Sequence, residues 1–341
     1  MNRIRYFCIT ALAVTCVYFS ANVSAGEKNA LPKKILCTTF PVYQLTRNII
    51  AGSESATVDI MLPATMGCPH DYTLTPGDMA KIAAADILVV NGLGMEEFLG
   101  KPVEQANPNI VIIDSTAGLR DVLEYEDDGH GHDDEENDEK GHEHAHRHDH
   151  DDDHDGHEHD GHDHTHHHHG PNPHLFTSPA LYADMADTIA GRLCILDPAG
   201  AATYAENTAT YAGKLRELAR EMAEVGGGFA NNRIVESHGA FDYLARDMKL
   251  KIVAHLQPHG QALSASQMLE VLDVIREKDP AVIVIEPQYP TASGETLAAE
   301  TGLPVIRLDS MSGGPDDAPL DYYETVMRNN LSVLINSLGG R

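Results

Sequence analysis

Short apolar runs recur along this chain, each followed by an amphipathic stretch, and that alternation constrains the fold more than any other feature. The runs at 34–39, 57–62, 86–90 and 110–113 are too short for helices and read as strands. A second string follows at 233–236, 251–254, 281–285 and 304–308. Runs that are apolar at successive positions suit strands buried on both faces, as in a parallel sheet. Helical segments lie between them, at 41–50, 240–248, 264–278 and 294–301, and a last helix is expected over 321–338. Thr75-Pro76-Gly77-Asp78 has the chemistry of a helix start, with a Thr cap, a proline in the first turn and an acid at the third position. Two strings of β-α units imply an α/β protein with two Rossmann-like open-sheet lobes.

Between the strings, Leu181, Met185, Ile189 and Leu193 recur every four residues, marking a helix that stops at Asp197-Pro198. Pro198 then opens a second helix. Its stripe runs Tyr204, Thr208, Tyr211, Leu215, Leu218, Met222 and Val225, and Gly226-Gly227-Gly228 ends it. Roughly 28 residues at about 1.5 Å each give about 42 Å, enough to run along both lobes. Such a stripe also suits an ordinary packed helix or a dimer seam. Polar and small gaps in it weigh against the seam, and a monomer is expected. The expected layout is a signal segment at 1–25, an N-terminal lobe at 33–197, a linking helix at 198–226 and a C-terminal lobe at 232–341.

The N-terminus carries Arg3 and Arg5, an apolar stretch over 6–19, and small residues in Val23-Ser24-Ala25. This is the pattern of a secretory signal cleaved after Ala25. The apolar stretch is short against the roughly 20 residues a membrane helix needs. The mature protein is therefore expected to be exported, with no stable membrane insertion. Cys8 and Cys16 leave with the signal, and Cys37, Cys68 and Cys194 remain. Cys37 and Cys68 each follow a strand, so a bridge between them is open. Cys194 falls on an apolar helix face and reads as an inert core thiol.

The 341 residues carry 52 Asp+Glu against 24 Lys+Arg. A polyanion of this kind does not bind nucleic acid through a general basic surface and is suited to collecting cations. Of the 21 histidines, 16 fall between His130 and His169. The window 127–170 also holds 17 Asp+Glu and only Lys140 and Arg147 as cations, giving it a charge of −15. Its only apolar side chain is Ala145, so it cannot form a core and is expected to be disordered without metal. In stretches such as His142-Glu143-His144-Ala145-His146, neutral imidazoles offer lone pairs to transition metals while carboxylates draw the cations in. A merely solvated linker is the bland alternative.

Five histidines lie elsewhere: His70, His174, His238, His255 and His259. His70 and His238 follow strands, and His174 precedes a helix. Open α/β sheets bind ligands beyond the carboxyl ends of their strands. Asp309 follows the last strand and can reach the same cleft. Three imidazoles and one carboxylate make a four-coordinate Zn²⁺ set. His255 and His259, in His255-Leu256-Gln257-Pro258-His259-Gly260, read as surface histidines bordering that cleft.

The motifs that carry a resemblance are Pro69-His70-Asp71-Tyr72-Thr73-Leu74-Thr75-Pro76-Gly77-Asp78, Asn172-Pro173-His174-Leu175-Phe176-Thr177-Ser178-Pro179 and Ser237-His238-Gly239-Ala240-Phe241-Asp242-Tyr243. Ile285-Glu286-Pro287-Gln288 and Glu300-Thr301-Gly302-Leu303-Pro304-Val305 follow in order. Together they resemble the periplasmic zinc/manganese solute-binding proteins of ABC transporters, the ZnuA/TroA type of cluster A-I, over 33–340. The resemblance implies two lobes joined by a rigid backbone helix, a metal site in the interlobe cleft, and delivery to a permease driven by a cytoplasmic ATPase. It places ligands at His70, His174 and His238, with an acidic fourth position at Asp309 or a water. Manganese-type members resemble one another in a carboxylate at the third position. His238 there, with the histidine-rich insert, looks like the zinc subgroup, Mn²⁺ being the lesser expectation. A metal buffer acting through the insert alone is the alternative. An enzyme is not expected: the carboxylate nearest the site is already taken as a ligand.

Overall fold

The computed structural model describes residues 31–67, 69, 72–124, 170–256, 263–287 and 292–339. The signal segment, the insert up to His169, Cys68, His70 and His259 lie outside the described residues. The first string of β-α units builds β1 (Lys33–Cys37), α1 (Phe40–Ile50), β2 (Ala56–Ile60), α2 (Pro76–Ala84), β3 (Ile87–Val90), α3 (Gly100–Ala106) and β4 (Val111–Asp114). These four strands pair in parallel in the order β2-β1-β3-β4. The second string gives β5 (Arg233–Glu236), α6 (Asp242–Asp247), β6 (Lys251–His255), α7 (Ala265–Lys278), β7 (Val282–Ile285), α8 (Ala292–Thr301), β8 (Val305–Arg307) and α9 (Tyr322–Leu338). Its sheet repeats the same topology, β6-β5-β7-β8, again all parallel. The two lobes belong to one compact unit spanning Pro32–Arg341.

Alternation along the strands explains why they read as continuous apolar runs. Ile35 and Cys37 of β1, with Ile87 and Val89 of β3, enter a central cluster, while Leu36, Leu88 and Val90 enter a second one with Met61, Ile82 and Val103. In the other sheet Ile234, Val282 and Val284 join the same central cluster, and Val235, Ile283 and Ile285 pack outward with Val271, Ile275 and Leu297. Successive side chains point to opposite faces, and both faces are covered.

The central cluster draws on both sheets and on two helices that lie between the strings in sequence. α4 (Pro179–Leu196) is capped by Ser178, whose Oγ accepts from Leu181 N at 3.2 Å, with Pro179 in the first turn. α5 (Ala201–Gly226) has 26 residues, about 39 Å at the helical rise. It packs on α1 and α4 in one lobe and on α6 and α9 in the other. Pro198–Gly200, expected in its first turn, form a separate turn instead, because Asp197 caps α4 and its Oδ2 accepts from both Ser55 Oγ and Tyr204 OH at 2.6 Å.

The Thr75 start is a full capping box: Asp78 N donates to Thr75 Oγ1 at 3.3 Å, and Asp78 Oδ2 accepts from Thr75 N at 2.8 Å. Cys37 is a buried free thiol, pushed up to about 12 by burial, while Cys68, the bridge partner that the sequence leaves open, lies outside the described residues. Cys194 is only half-buried; it packs beside the central cluster and reaches Ala201 O at 3.5 Å. Among the described residues no helix is long and apolar enough to cross a membrane.

Candidate metal centre

Each sheet changes direction between its first and third strands, and at such a point both loops turn away from the strand ends to leave a crevice. In the C-terminal lobe this point lies between β5 and β7. His238 stands two residues beyond β5 and Glu286 one residue beyond β7. In the N-terminal lobe Thr38 and Asn91 occupy the equivalent ends of β1 and β3. Asn91 Nδ2 donates to Pro173 O at 2.9 Å, which brings the strand ends of that lobe against the segment carrying His174.

His174 and His238 meet there. Their ring centroids are 5.4 Å apart and their planes 83° from parallel. His174 is fully buried and His238 is 6% exposed. Each ring has an oxygen close to its Nδ1. Asn172 Oδ1 lies 2.8 Å from His174 Nδ1, and Glu286 Oε1 lies 2.9 Å from His238 Nδ1. The Asn172 amide orientation is fixed by its own network. Its Nδ2 donates to Gly239 O and to Asp242 Oδ2, each at 2.8 Å, so its oxygen must face His174. An amide oxygen can only accept here, so the neutral His174 ring carries its proton on Nδ1 and its lone pair on Nε2. Holding the distal nitrogen this way orients a metal-ligating histidine and raises its basicity.

The loop bearing His238 is pinned from beneath by Glu236. Its Oε1 accepts from Gly239 N and its Oε2 from Phe241 N at 3.1 Å. Gly239 has φ +84°, a left-handed conformation that lets the chain turn directly after the histidine. Asp309 lies beyond β8, half-buried, with its Oδ1 accepting from Met311 N at 2.8 Å and its backbone held by Asn330. Thus the structure brings His174 and His238 together and places Asp309 at a strand's carboxyl end, while His70 falls outside the described residues.

His255 departs from the surface role read from sequence. Its side chain is 19% exposed, with Nε2 3.0 Å from Glu236 Oε1 and 3.5 Å from Asp242 Oδ1. These three side chains offer ligand-type atoms within 4.8 Å of one another. Burial alone would lower the imidazole, but Asp242 and Glu236 outweigh it and hold His255 at about 10. Burial raises the Asp242 carboxyl, which His255 offsets only in part. Sequence reading missed the roles of Asn172, Glu236, Asp242 and Glu286. Their signal was adjacency to the histidine motifs: Asn172 lies in the His174 motif, Asp242 in the His238 motif, and Glu236 two residues before His238.

The excursion over 125–169 leaves and returns beside this centre. Glu124 and Pro171 form an antiparallel bridge, and Asn172 N donates to Leu123 O at 2.7 Å. Tyr243 ties the root down: its hydroxyl donates to Asn172 O at 2.7 Å and accepts from Leu123 N at 3.0 Å.

A family model described as zinc-uptake complex component A, periplasmic, matches residues 35–337. The high-affinity zinc uptake system protein ZnuA of Bacillus subtilis is 27% identical over 333 residues, covering 96% of this chain and 94% of that protein. The iron-binding protein YfeA of Yersinia pestis is 26% identical over 345 residues, covering 97% and 94%. The solved structure of the solute-binding protein FpvC of Pseudomonas aeruginosa with Ni²⁺ aligns with a TM-score of 0.70 and 27% identity, over 91% of this chain and 98% of that one.

Proposed function

Since this chain belongs to the periplasmic zinc-uptake component A family, non-enzymatic metal-binding proteins of ABC uptake systems, we propose that its cargo is Zn²⁺. The ligands in this reading are His70, His174 and His238, with Asp309 or a water as the fourth, held in the cleft between the two lobes. The loaded protein docks on an ABC permease outside the cytoplasm and releases the ion to it. The periplasm is the compartment, the signal being cleaved after Ala25, and the working protein is a monomer. The lobes correspond to 33–197 and 232–341, and the insert over 127–170 collects metal at low affinity.

The observation that carries this reading is the His174–His238 pair. The two buried rings stand 5.4 Å apart, with His174 Nδ1 bonded to Asn172 Oδ1 and His238 Nδ1 2.9 Å from Glu286 Oε1. A histidine at the third position, where a carboxylate suits harder cations, favours zinc. The names of the relatives support a wider reading as well, since one is iron-binding and one was solved with Ni²⁺. In that reading the site takes several divalent ions and the uptake system's choice lies with supply.

The test is competitive titration with Zn²⁺, Mn²⁺, Fe²⁺ and Ni²⁺ on the chain and on a variant lacking 127–170. One tight site should survive the deletion and disappear in His174→Ala and His238→Ala. Tight binding that vanished with the insert would favour the buffer instead. Imidazole must be neutral to bind, so zinc should bind more weakly at about pH 5.5 than at about pH 7.5.

A further inference from the structure

We infer that His255 is a positioning residue for metal capture, bridging two carboxylates, one that braces the support of His174 and one that braces the loop of His238. The inference rests on those two histidines being ligands. From His255 Nε2 one branch runs to Asp242 Oδ1 at 3.5 Å; Asp242 Oδ2 accepts from Asn172 Nδ2 at 2.8 Å, and Asn172 Oδ1 holds His174 Nδ1 at 2.8 Å. The other runs to Glu236 Oε1 at 3.0 Å, and Glu236 fixes Gly239 N and Phe241 N in the loop that carries His238. One side chain outside the ligand set therefore touches the supports of two ligands that lie 64 residues apart, on segments from both lobes.

A backbone irregularity makes this possible. The β5–β6 register pairs Ile234 with Ile252 but Val235 with Ala254, so β6 carries one extra residue at Val253. The shift sets Glu236 opposite His255. In an unshifted register Glu236 would face Ala254, and His255 would fall on the opposite side of the sheet. Bulges of this kind re-aim a side chain beside a functional site. Two buried carboxylates so close to one another need a cation between them, and His255, held at about 10, supplies it without being consumed as a ligand.

The full chain tests this by competition against a chelator strong enough to strip the insert, read as the tight-site zinc Kd. His255→Gln and Asn172→Ala should each weaken that Kd by roughly ten- to hundredfold, the usual cost of losing an outer-sphere support. Combined, they should lose clearly less than the product of the two, because they lie on one branch. His255→Gln with Glu221→Ala, an exposed position on α5, should multiply. His255→Lys, which keeps a cation between the carboxylates, should recover part of the affinity. An unchanged Kd in folded His255→Gln, or a multiplicative Asn172 pair, would overturn the inference. So would a second zinc ion bound by Glu236, Asp242 and His255 in anomalous maps. If instead His174→Ala kept the full tight-site affinity, the ligand assignment itself would fail, a result separable from the others.

Discussion

Glu286 Oε1 lies 2.9 Å from His238 Nδ1, with both side chains shut away from solvent. The carboxylate is one residue past the end of β7 and the histidine two past β5, so neighbouring strands supply both halves of the pair.

Removing that acceptor should loosen the ring. In Glu286→Ala the tight-site metal affinity is expected to fall by roughly ten- to hundredfold. Glu286→Gln keeps an acceptor oxygen and should lose less. Competitive zinc titration of the two variants gives the order; equal losses would mean that charge, and not orientation, is what Glu286 provides.

In the other lobe Glu96 bonds the residues that follow β1 and β3. Its carboxyl accepts from Thr38 Oγ1 at 2.6 Å, Asn91 N at 2.7 Å and Gly92 N at 3.1 Å. Burial nevertheless outweighs these donors and raises it from 4.5 to about 7. A carboxyl whose folded value is raised holds its proton more tightly when folded. The fold therefore gains below about 4.5 and loses that gain as pH rises through about 7. At about 1.4 kcal/mol per unit the swing is about 3 kcal/mol. Urea unfolding of the metal-free chain at several pH values should show this decline, and Glu96→Gln should flatten it.

His255 is charged when protonated, where Glu96 is neutral, but its effect on stability has the same sign. Its folded value of about 10 stands above the ordinary 6.5. Its contribution is fully present below about 6.5 and is lost as pH rises through about 10. Between those limits the wild-type chain should lose stability relative to His255→Gln, measured as unfolding free energy of the metal-free proteins. Parallel pH curves would show that the imidazole is not held between the two carboxylates.

The far end of the linking helix has no room to spare. A Cβ added at Gly226 would lie 2.2 Å from Met248 O, a backbone atom that no rotamer change can move. Gly226→Ala should therefore cost about 1–3 kcal/mol through forced displacement of α5 against the end of α6. Chemical denaturation reads the loss directly; a variant as stable as the parent would mean that the two helices slide freely.

Where local chemistry sufficed, the sequence was readable. Arg233–Glu236 stands as a strand at the residues its apolar pattern marks, and the Thr75 box forms as its residue types require. α3 was not legible: of its seven residues only Val103 is buried, too little to make a stripe. The histidine positions could be singled out because each neighbours a strand or helix end. Their supports could not, since Asn172 and Asp242 meet across 70 residues of chain and nothing local signals the contact. His255 was misread for a related reason. Its environment depends on the one-residue slip at Val253, and a slip leaves no compositional trace.

The knot of Leu123, Glu124, Pro171, Asn172 and Tyr243 closes the excursion at its root, next to His174. Once both ends are clasped, the chain between them can grow or shrink with little further cost, since closure entropy rises only logarithmically with length. The clasp works as a socket. A longer or shorter excursion can be seated there without disturbing the residues around His174.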